Sequence, residues 1–321
     1  MSTTISTSTS GPVVLGTGDN PLLITSTGAV TSTGSADGID GGPGTTWTIA
    51  NAGTVSSSGG YGVSLTDGGI IGNTGSISGK DALVLRAGGS VTNDVGGSLS
   101  GLGALGAGLG SGAGVYITGA AGTVTNYSTI SGAGYGVGLG RGGLVTNTSS
   151  ILGGEDGVII QGAIGTIANS GNITATVDDG VALFAGGSVT NDVGGSISGL
   201  GTLGAGVFIT GGVGTVTNAG NIAEPSHHGV LVAGGGSLSN AASGSISALV
   251  VGVFFQNQAG TLTNAGYITG TGADGTGIYL ENGGSATNTS TGTITGHKFG
   301  AFLEGGFTTL ANLRQHLGDD L

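Results

Sequence analysis

A short segment that ends in asparagine recurs along this chain, in forms such as TVTN, SVTN and TIAN. Most copies are 20 to 24 residues apart, and the two longer intervals, 33 and 27 residues, both contain a GLGxLGAG insert. A twelfth copy, TLAN at Asn312, is less regular. Self-similarity at such a period predicts a stack of structural repeats. The secure copies end at Asn51, Asn73, Asn93, Asn126, Asn147, Asn169, Asn191, Asn218, Asn240, Asn264 and Asn288.

Each repeat contains three short segments in which apolar residues alternate with small or polar ones. Around Asn218 these are GVFI at 206–209, TVTN at 215–218 and GNI at 220–222. Such alternation is typical of strands, and the turns between the segments are too short to form hairpins within one repeat. The pattern therefore predicts an all-β, right-handed parallel β-helix of about 12 coils, with three short strands per coil and each strand paired to its counterpart in the next coil.

Glycine and length variation fit this geometry. The chain has 321 residues, of which 77 are glycine and 4 are proline, and only 7% are charged. We expect most glycines at the corners of coils, where φ is positive or backbones approach closely. Segment 186–206 almost repeats 88–108, which indicates a duplication of whole coils. The pattern predicts a Ser/Thr-rich start at 1–44 with one degenerate coil, a regular β-helix at 45–305, and a last coil or amphipathic cap at 306–321.

Charge and hydropathy argue against binding to nucleic acid and against a membrane-spanning segment. The formal net charge is −12, and the five Lys and Arg residues are scattered, so we expect no binding to nucleic acid. No apolar run is long enough to span a bilayer. The N-terminus also lacks the positive and apolar regions of a secretory signal, and the chain has no cysteine.

The repeated asparagines have a structural and a functional interpretation. Asparagine tolerates turn conformations, and stacked side-chain amides can form a hydrogen-bonded ladder. The alternative is glycosylation at Asn126, Asn147, Asn172 or Asn288, each of which lies in an N-x-[ST] sequence. We favour the ladder, because three of these four asparagines are repeat positions.

Candidate catalytic and metal-binding residues do not form a recognisable constellation. The acidic residues that precede glycine read as turn residues. His227 and His228 are neighbours and are expected to face opposite ways, which disfavours a shared metal. The glycine-rich inserts lack the aspartates of calcium-binding β-rolls. We therefore predict no catalytic, cofactor or metal site, with Ca²⁺ kept as an open alternative. The Asp-Gly residues are Asp37, Asp67, Asp156, Asp179 and Asp274.

The G-V-x-[ILVF] strand of each coil carries one further signal. Its x residue is expected to point outward, and in five consecutive coils it is large and apolar or aromatic. Residues stacked in this way would form an apolar stripe large enough to bind a partner, a second chain or a glycan. Alternatively, a loop or the C-terminal segment, with Leu310, Leu313, Leu317 and Leu321, covers the stripe. The five residues are Phe208, Leu231, Phe254, Tyr279 and Phe302.

The repeat unit G-[ST]-V-T-N-x-G-x-I-x-G, as in GTVTNAGNIAE at 214–224 and GTLTNAGYITG at 260–270, resembles passenger regions of bacterial autotransporters and filamentous-haemagglutinin-like adhesins. The resemblance covers residues 45–305. It implies a non-enzymatic, extracellular structural or adhesive protein of a bacterial cell surface or biofilm matrix. We expect it to assemble with itself, laterally or end to end into fibres, or to bind surface glycans. The alternatives are a polysaccharide lyase or hydrolase and a glycan-binding module.

Overall fold

The fold is described from a computed structural model of the chain, for residues 2–104, 112–202 and 204–312. The backbone divides into two units, Met1–Ala163 and Ile164–Leu321. Apart from one 3-10 turn at Thr17–Asp19, the regular elements of these residues are short strands. None of the described helical segments is long and apolar enough to span a membrane.

The described residues of the first unit form 21 strands in seven coils of three. They are β1 Thr3–Ile5, β2 Ser8–Ser10, β3 Val13–Leu15, β4 Leu22–Ile24, β5 Ala29–Ser32, β6 Ile39–Gly41, β7 Trp47–Asn51, β8 Thr54–Ser57, β9 Val63–Leu65, β10 Gly69–Asn73, β11 Ser76–Gly79, β12 Leu83–Leu85, β13 Gly89–Asn93, β14 Ser98–Gly101, β15 Val115–Ile117, β16 Gly122–Asn126, β17 Thr129–Gly132, β18 Val137–Leu139, β19 Gly143–Asn147, β20 Ser150–Gly153 and β21 Val158–Ile160.

In the second unit, residues 164–202 and 204–312 form six further coils and one additional strand. Its strands are β22 Gly165–Asn169, β23 Asn172–Ala175, β24 Val181–Leu183, β25 Gly187–Asn191, β26 Ser196–Gly199, β27 Ala205–Ile209, β28 Gly214–Asn218, β29 Asn221–Glu224, β30 His228–Val232, β31 Gly236–Asn240, β32 Ser245–Ala248, β33 Val251–Phe255, β34 Gly260–Asn264, β35 Tyr267–Gly270, β36 Thr276–Leu280, β37 Gly284–Asn288, β38 Thr293–Gly296, β39 Phe299–Leu303 and β40 Thr308–Asn312.

In each unit every third strand belongs to the same parallel sheet. Sheet A contains the strands that end in the repeated asparagine, sheet B the strands that follow them, and sheet C the G-V-x-[ILVF] strands. Equivalent residues pair in register from coil to coil, as Val216 does with Leu238 and Asn218 with Asn240. The predicted right-handed parallel β-helix with three strands per coil is confirmed.

The described residues contain 13 coils, close to the predicted 12. Residues 1–44 contribute two coils, β1–β3 and β4–β6, where the pattern predicted one. The asparagine pattern misses both coils, because Ile5 and Ile24 take the place of the repeated asparagine in the register that leads to Asn51. At the other end, β40 pairs with β37, whereas Leu313, Leu317 and Leu321 lie outside the described residues.

The core of each unit consists of columns of Val, Ile and Leu, one column for each inward position of a sheet. In sheet B, for example, Val55, Ile77, Leu99 and Ile130 pair in succession and are fully buried. Each such side chain contributes about 1.5–3 kcal/mol by leaving water. Because a coil has few residues to bury, this stabilisation depends on neighbouring coils, as expected of a stacked repeat.

Glycine is required where sheet A strands begin. Gly187 has φ of 135°, and a Cβ there would overlap the carbonyl oxygen of Gly165 in the previous coil. This conformation is accessible to glycine and rarely to any other residue. The glycine pairs that precede the asparagine segments thus let the chain turn the corner into sheet A while the coils stay one strand-width apart.

Candidate functional site

The repeated asparagines form one hydrogen-bonded ladder in each unit. In the first unit Nδ2 of each asparagine donates to Oδ1 of the next from Asn51 to Asn147, over 2.8–2.9 Å. In the second unit the same bonds run from Asn169 to Asn288 over 2.8–2.9 Å and on to Asn312 over 3.0 Å. The ladder asparagines from Asn51 to Asn288 are buried.

The ladder also closes the corner between sheets A and B. In short corners the amide donates to the carbonyl two residues later, as Asn218 does to Gly220 over 3.1 Å. In longer corners it donates four residues later, as Asn240 does to Gly244 over 3.1 Å. One side chain therefore serves two corner lengths. Burial of the amides also removes Asn126, Asn147 and Asn288 as accessible glycan acceptors, whereas Asn172 is exposed.

Two Asp-Gly carboxylates and one related carboxylate accept backbone N–H groups at the corner before sheet C. Asp37 accepts the N–H of Tyr61 over 2.8 Å, and Asp179 accepts that of Ala205 over 2.6 Å. Asp81, in an Asp-Ala pair, accepts the N–H of Ala113 over 2.8 Å, and burial raises its pKa to about 6. Each carboxylate thus holds the next coil. This use is structural, as the turn interpretation proposes.

Two other Asp-Gly carboxylates lie nearer the surface. Asp67 accepts the N–H of Gly44. Asp274 binds Nζ of Lys298 over 2.9 Å, and the side-chain hydrogen bond from this lysine lowers the pKa of the exposed carboxyl. Because both ends of this ion pair are largely in water, it adds little to stability.

The outward positions of sheet C in the first unit do not form a continuous apolar stripe. The file is interrupted by a serine and by Gly138, over which the ring of Tyr116 lies. The guanidinium of Arg86 bonds the hydroxyl of Ser64 over 3.0 Å and lies 5.3 Å from the ring centroid of Tyr61. The file is mixed in chemistry. In register order its members are Ser64, Val84, Tyr116, Gly138 and Ile159.

From β27 to β39 in the second unit, the outward positions of sheet C form a continuous file, which we call the aromatic file. Each member pairs in register with the next: Phe208, Leu231, Phe254, Tyr279 and Phe302. The rings of Phe254 and Tyr279 are stacked at 4.6 Å with an angle of 6°, and the Tyr279 and Phe302 rings lie 5.0 Å apart. The structure therefore brings together the five residues that the sequence singled out.

The members of the aromatic file differ in exposure. Phe302 is 39% exposed, whereas Phe254 is only 8% exposed, because it lies between the rings of Tyr279 and His228. Phe184 and Phe299 widen the file at its two ends, with rings 5.7 Å from Phe208 and 5.3 Å from Phe302. The surface is thus an apolar strip in which each aromatic ring covers part of its neighbour.

Acidic and amide side chains follow the aromatic file on one side. The hydroxyl of Tyr279 donates to Oε2 of Glu304 over 2.7 Å, and this bond raises the pKa of Tyr279 to about 12. Oε2 of Glu281 accepts the N–H of Asn257 over 2.9 Å, and Asn257 has φ of 64°. The strip is therefore bordered by negative charge.

Sequence reasoning missed the buried polar corner between β29 and β30. Glu224 and His228 are both buried, and Oε2 of the first and Nδ1 of the second have no hydrogen-bond partner. Burial raises the pKa of Glu224 to about 7 and lowers that of His228 to about 4. The expectation that the two histidines face apart was wrong: His227 lies in the turn, and its ring is 3.9 Å from that of His228. The available signal was EPSHH, where other coils have Asp-Gly.

No protein-family model matches this chain, and neither a curated protein nor a solved structure matches it. The resemblance to autotransporter passengers and haemagglutinin-like adhesins therefore stays a prediction from the repeat unit.

Proposed function

We propose that this protein is a non-enzymatic structural and adhesive β-solenoid of a bacterial cell surface or biofilm matrix, and that the aromatic file is its contact surface with a second copy of the chain. The observation that carries the proposal is the register of five large apolar residues on the outside of five successive coils. A run of partly exposed apolar side chains of this length is typical of an interaction surface.

The ring geometry favours a protein partner over a sugar. Sugars stack on open aromatic faces, but the faces of Phe254 and Tyr279 lie against each other at 4.6 Å. What remains outside is mainly a strip of ring edges and aliphatic groups. Such a strip suits another apolar strip, in which dispersion contacts and release of water supply the attraction.

A second copy is the partner that fits this strip best. Its aromatic file has the same spacing from coil to coil, so side chains of two facing strips can interdigitate along their whole length. Paired through one two-fold axis, the same patch serves both copies, which is the commonest symmetry of soluble oligomers. Each copy has a formal net charge of −12, so association should strengthen as salt screens the repulsion between the two copies.

The non-enzymatic part of the proposal is supported by how the carboxylates are used. Asp37, Asp81 and Asp179 bind backbone N–H groups at corners, which leaves them poorly placed for acid–base chemistry. Incubation with acidic and neutral polysaccharides, with and without Ca²⁺, should release no unsaturated or reducing products. Turnover above that of a heat-denatured control would contradict this part.

The contact surface is tested with the double variant Phe254→Ser, Tyr279→Ser. Sedimentation velocity over a range of concentrations should show association of the unmodified chain, stronger at higher salt, and a loss of at least tenfold in the variant. Ile70→Ser with Leu144→Ser is the matched control, since both residues are exposed and apolar on sheet A of the first unit. Far-UV circular dichroism shows that each variant stays folded.

Three results would contradict the proposed contact. One is equal association of the double variant and the unmodified chain. Another is a glycan-array signal that the double variant loses while the oligomeric state does not change, since this would assign the file to sugars. The third is the formation of fibres that persist in the double variant under the electron microscope, since these would indicate end-to-end pairing of strands instead.

A further inference from the structure

The corner that follows β29 contains a buried carboxylate with no positive partner. Glu224 is 1% exposed, and its Oε1 accepts the N–H of Ser226 over 2.9 Å. Its Oε2 is also buried and has no hydrogen-bond partner. An ionised carboxylate is rarely left in this state, because loss of hydration costs several kcal/mol unless a proton, a donor or a cation replaces the water.

Oε2 of Glu224 and two backbone carbonyl oxygens converge beside Gly199, in a space too tight for a Cβ at that residue. A Cβ on Gly199, in the preceding coil, would lie 2.8 Å from this atom and 2.6 Å from the carbonyl oxygens of both Asp178 and Ala205. These three oxygens come from three successive coils, and they converge because residue 199 has no side chain. Carbonyls and ionised carboxylates only accept hydrogen bonds, so nothing among the three satisfies the others while Glu224 is ionised.

The charges around this space are negative. The carboxylate of Asp178 is exposed and acts on Glu224 so as to raise its pKa further, in addition to burial. Asp179, next to it, is buried and uses Oδ1 to accept the N–H of Ala205 over 2.6 Å. The N–H groups of Ser226 and His227 oppose the effect of burial on the pKa of Glu224. Among the described residues of the second unit, the only Lys or Arg is Lys298, which pairs with Asp274.

We propose that this corner binds a hard divalent cation, Ca²⁺, through Oε2 of Glu224 and the carbonyl oxygens of Asp178 and Ala205, with the Asp178 carboxylate at its solvent side. Ca²⁺ takes six to eight oxygen ligands in irregular geometry and accepts backbone carbonyls, whereas Mg²⁺ requires a near-ideal octahedron. The carbonyl of Ala205 already accepts the N–H of Gly180 over 3.0 Å, and its second lone pair leaves it able to bind a metal. Water would complete the shell.

The bound ion would join three coils at a place where the stack is irregular. The segment before Ala205 contains the second GLGxLGAG insert, so the corner there is longer than in most coils. A cation that takes ligands from the coils before, within and after this insert would fix their spacing. This inference is independent of the aromatic file, since none of its ligands belongs to that file.

The experiment is titration of the full chain, freed of metal with a chelator, with CaCl₂ and separately with MgCl₂ in an isothermal calorimeter. Ca²⁺ should bind at one class of site and raise the thermal midpoint, and Mg²⁺ should bind at least tenfold more weakly. Glu224→Gln should abolish both effects of Ca²⁺. Its amide can donate to the two carbonyls, so the fold should persist, as circular dichroism will show. Glu281→Gln, at the carboxylate beside the aromatic file, is the matched control and should bind as the unmodified chain does.

A second variant keeps the proposal testable if Glu224→Gln fails to fold. Asp178→Asn changes an exposed side chain, so it should leave the thermal midpoint without metal unchanged and weaken Ca²⁺ binding by roughly ten- to a hundredfold. The proposal is overturned if Ca²⁺ produces no heat and no thermal shift, or if Glu224→Gln binds normally. It is also overturned if the thermal midpoint does not respond to Ca²⁺ but falls as the pH rises from 4.5 to about 7 in the unmodified chain and not in Glu224→Gln. A proton on Glu224 would then take the place of the cation.

Discussion

Replacement of Asn218 by alanine tests whether the amide ladder carries much of the stability of the second unit. The Asn218 amide donates to Oδ1 of Asn240 over 2.8 Å, to Gly220 over 3.1 Å and to Ser245 over 3.2 Å. Its own Oδ1 accepts from Asn191 over 2.8 Å. All of these bonds are lost in Asn218→Ala, and the buried Oδ1 of Asn240 is left without its donor.

The expected cost follows from these contacts. A net contribution of about 1 kcal/mol for each of the two short amide–amide bonds, and about 1–3 kcal/mol for the acceptor left unsatisfied in the interior, gives a loss of about 3–5 kcal/mol. Asn282→Ala is the control, since that amide is exposed and makes one long contact of 3.4 Å with Glu281. We expect the control to change stability by less than about 0.5 kcal/mol.

The measurement needs local resolution, because a stacked repeat can unfold in parts. Urea unfolding gives the total change, and hydrogen exchange of peptides that contain β28 and β31 shows where protection is lost. A cost below about 1 kcal/mol, or a loss spread evenly over all coils, would refute the reasoning. Asn218→Asp adds a second criterion: the introduced carboxylate would face the Oδ1 of Asn240, so this variant should gain stability at low pH, where the carboxyl is protonated and can donate.

Two further changes probe the corners. Gly187→Ala should destabilise the second unit by more than about 2 kcal/mol in urea unfolding, because φ is 135° and the new methyl would overlap Gly165. Gly72→Ala, the control, has open space around it and should change stability little. Equal effects of the two substitutions would contradict this account. Burial raises the folded-state pKa of Asp81 from 3.8 to about 6, so the folded chain binds more protons than the unfolded chain between these values, and stability should fall as the pH rises through this window. Asp81→Asn can still accept the N–H of Ala113 and should flatten that slope; a pH profile that stays unchanged would show that other groups set it.

The features of the fold that can be predicted from the sequence are those whose signal is contained within a single repeat. Alternation along TVTN or GVFI fixes which side chains point inward, and the glycines fix the corners, so strand number and direction follow from a single repeat. The asparagine pattern did not detect the first two coils, because their ladder positions hold Ile5 and Ile24, which pack in the core without an amide. An apolar residue can replace the asparagine at the end of the stack, and a search for the repeated asparagine segment then does not detect the coil.

The candidate sites could likewise be predicted only in part. The column of Phe254 and Tyr279 could be predicted, because register alone aligns them. The burial of Phe254 could not, since it depends on the ring of His228 at the corner of the previous coil. The space beside Glu224 was beyond prediction for another reason: two of its three oxygens belong to the backbone, and a carbonyl has no signature in sequence.

The direction of the asparagine ladder has an electrical consequence. In both units the amide–amide bonds of the ladder all run from an earlier to a later coil, so the small dipoles of the side chains add instead of cancelling. Each unit therefore has a polar axis, with partial positive charge toward its later coils, comparable in origin to the macrodipole of a helix. Because aligned hydrogen bonds polarise one another, a gap in the middle of the column weakens the bonds on both sides of it, whereas a gap at an end shortens the column by one member.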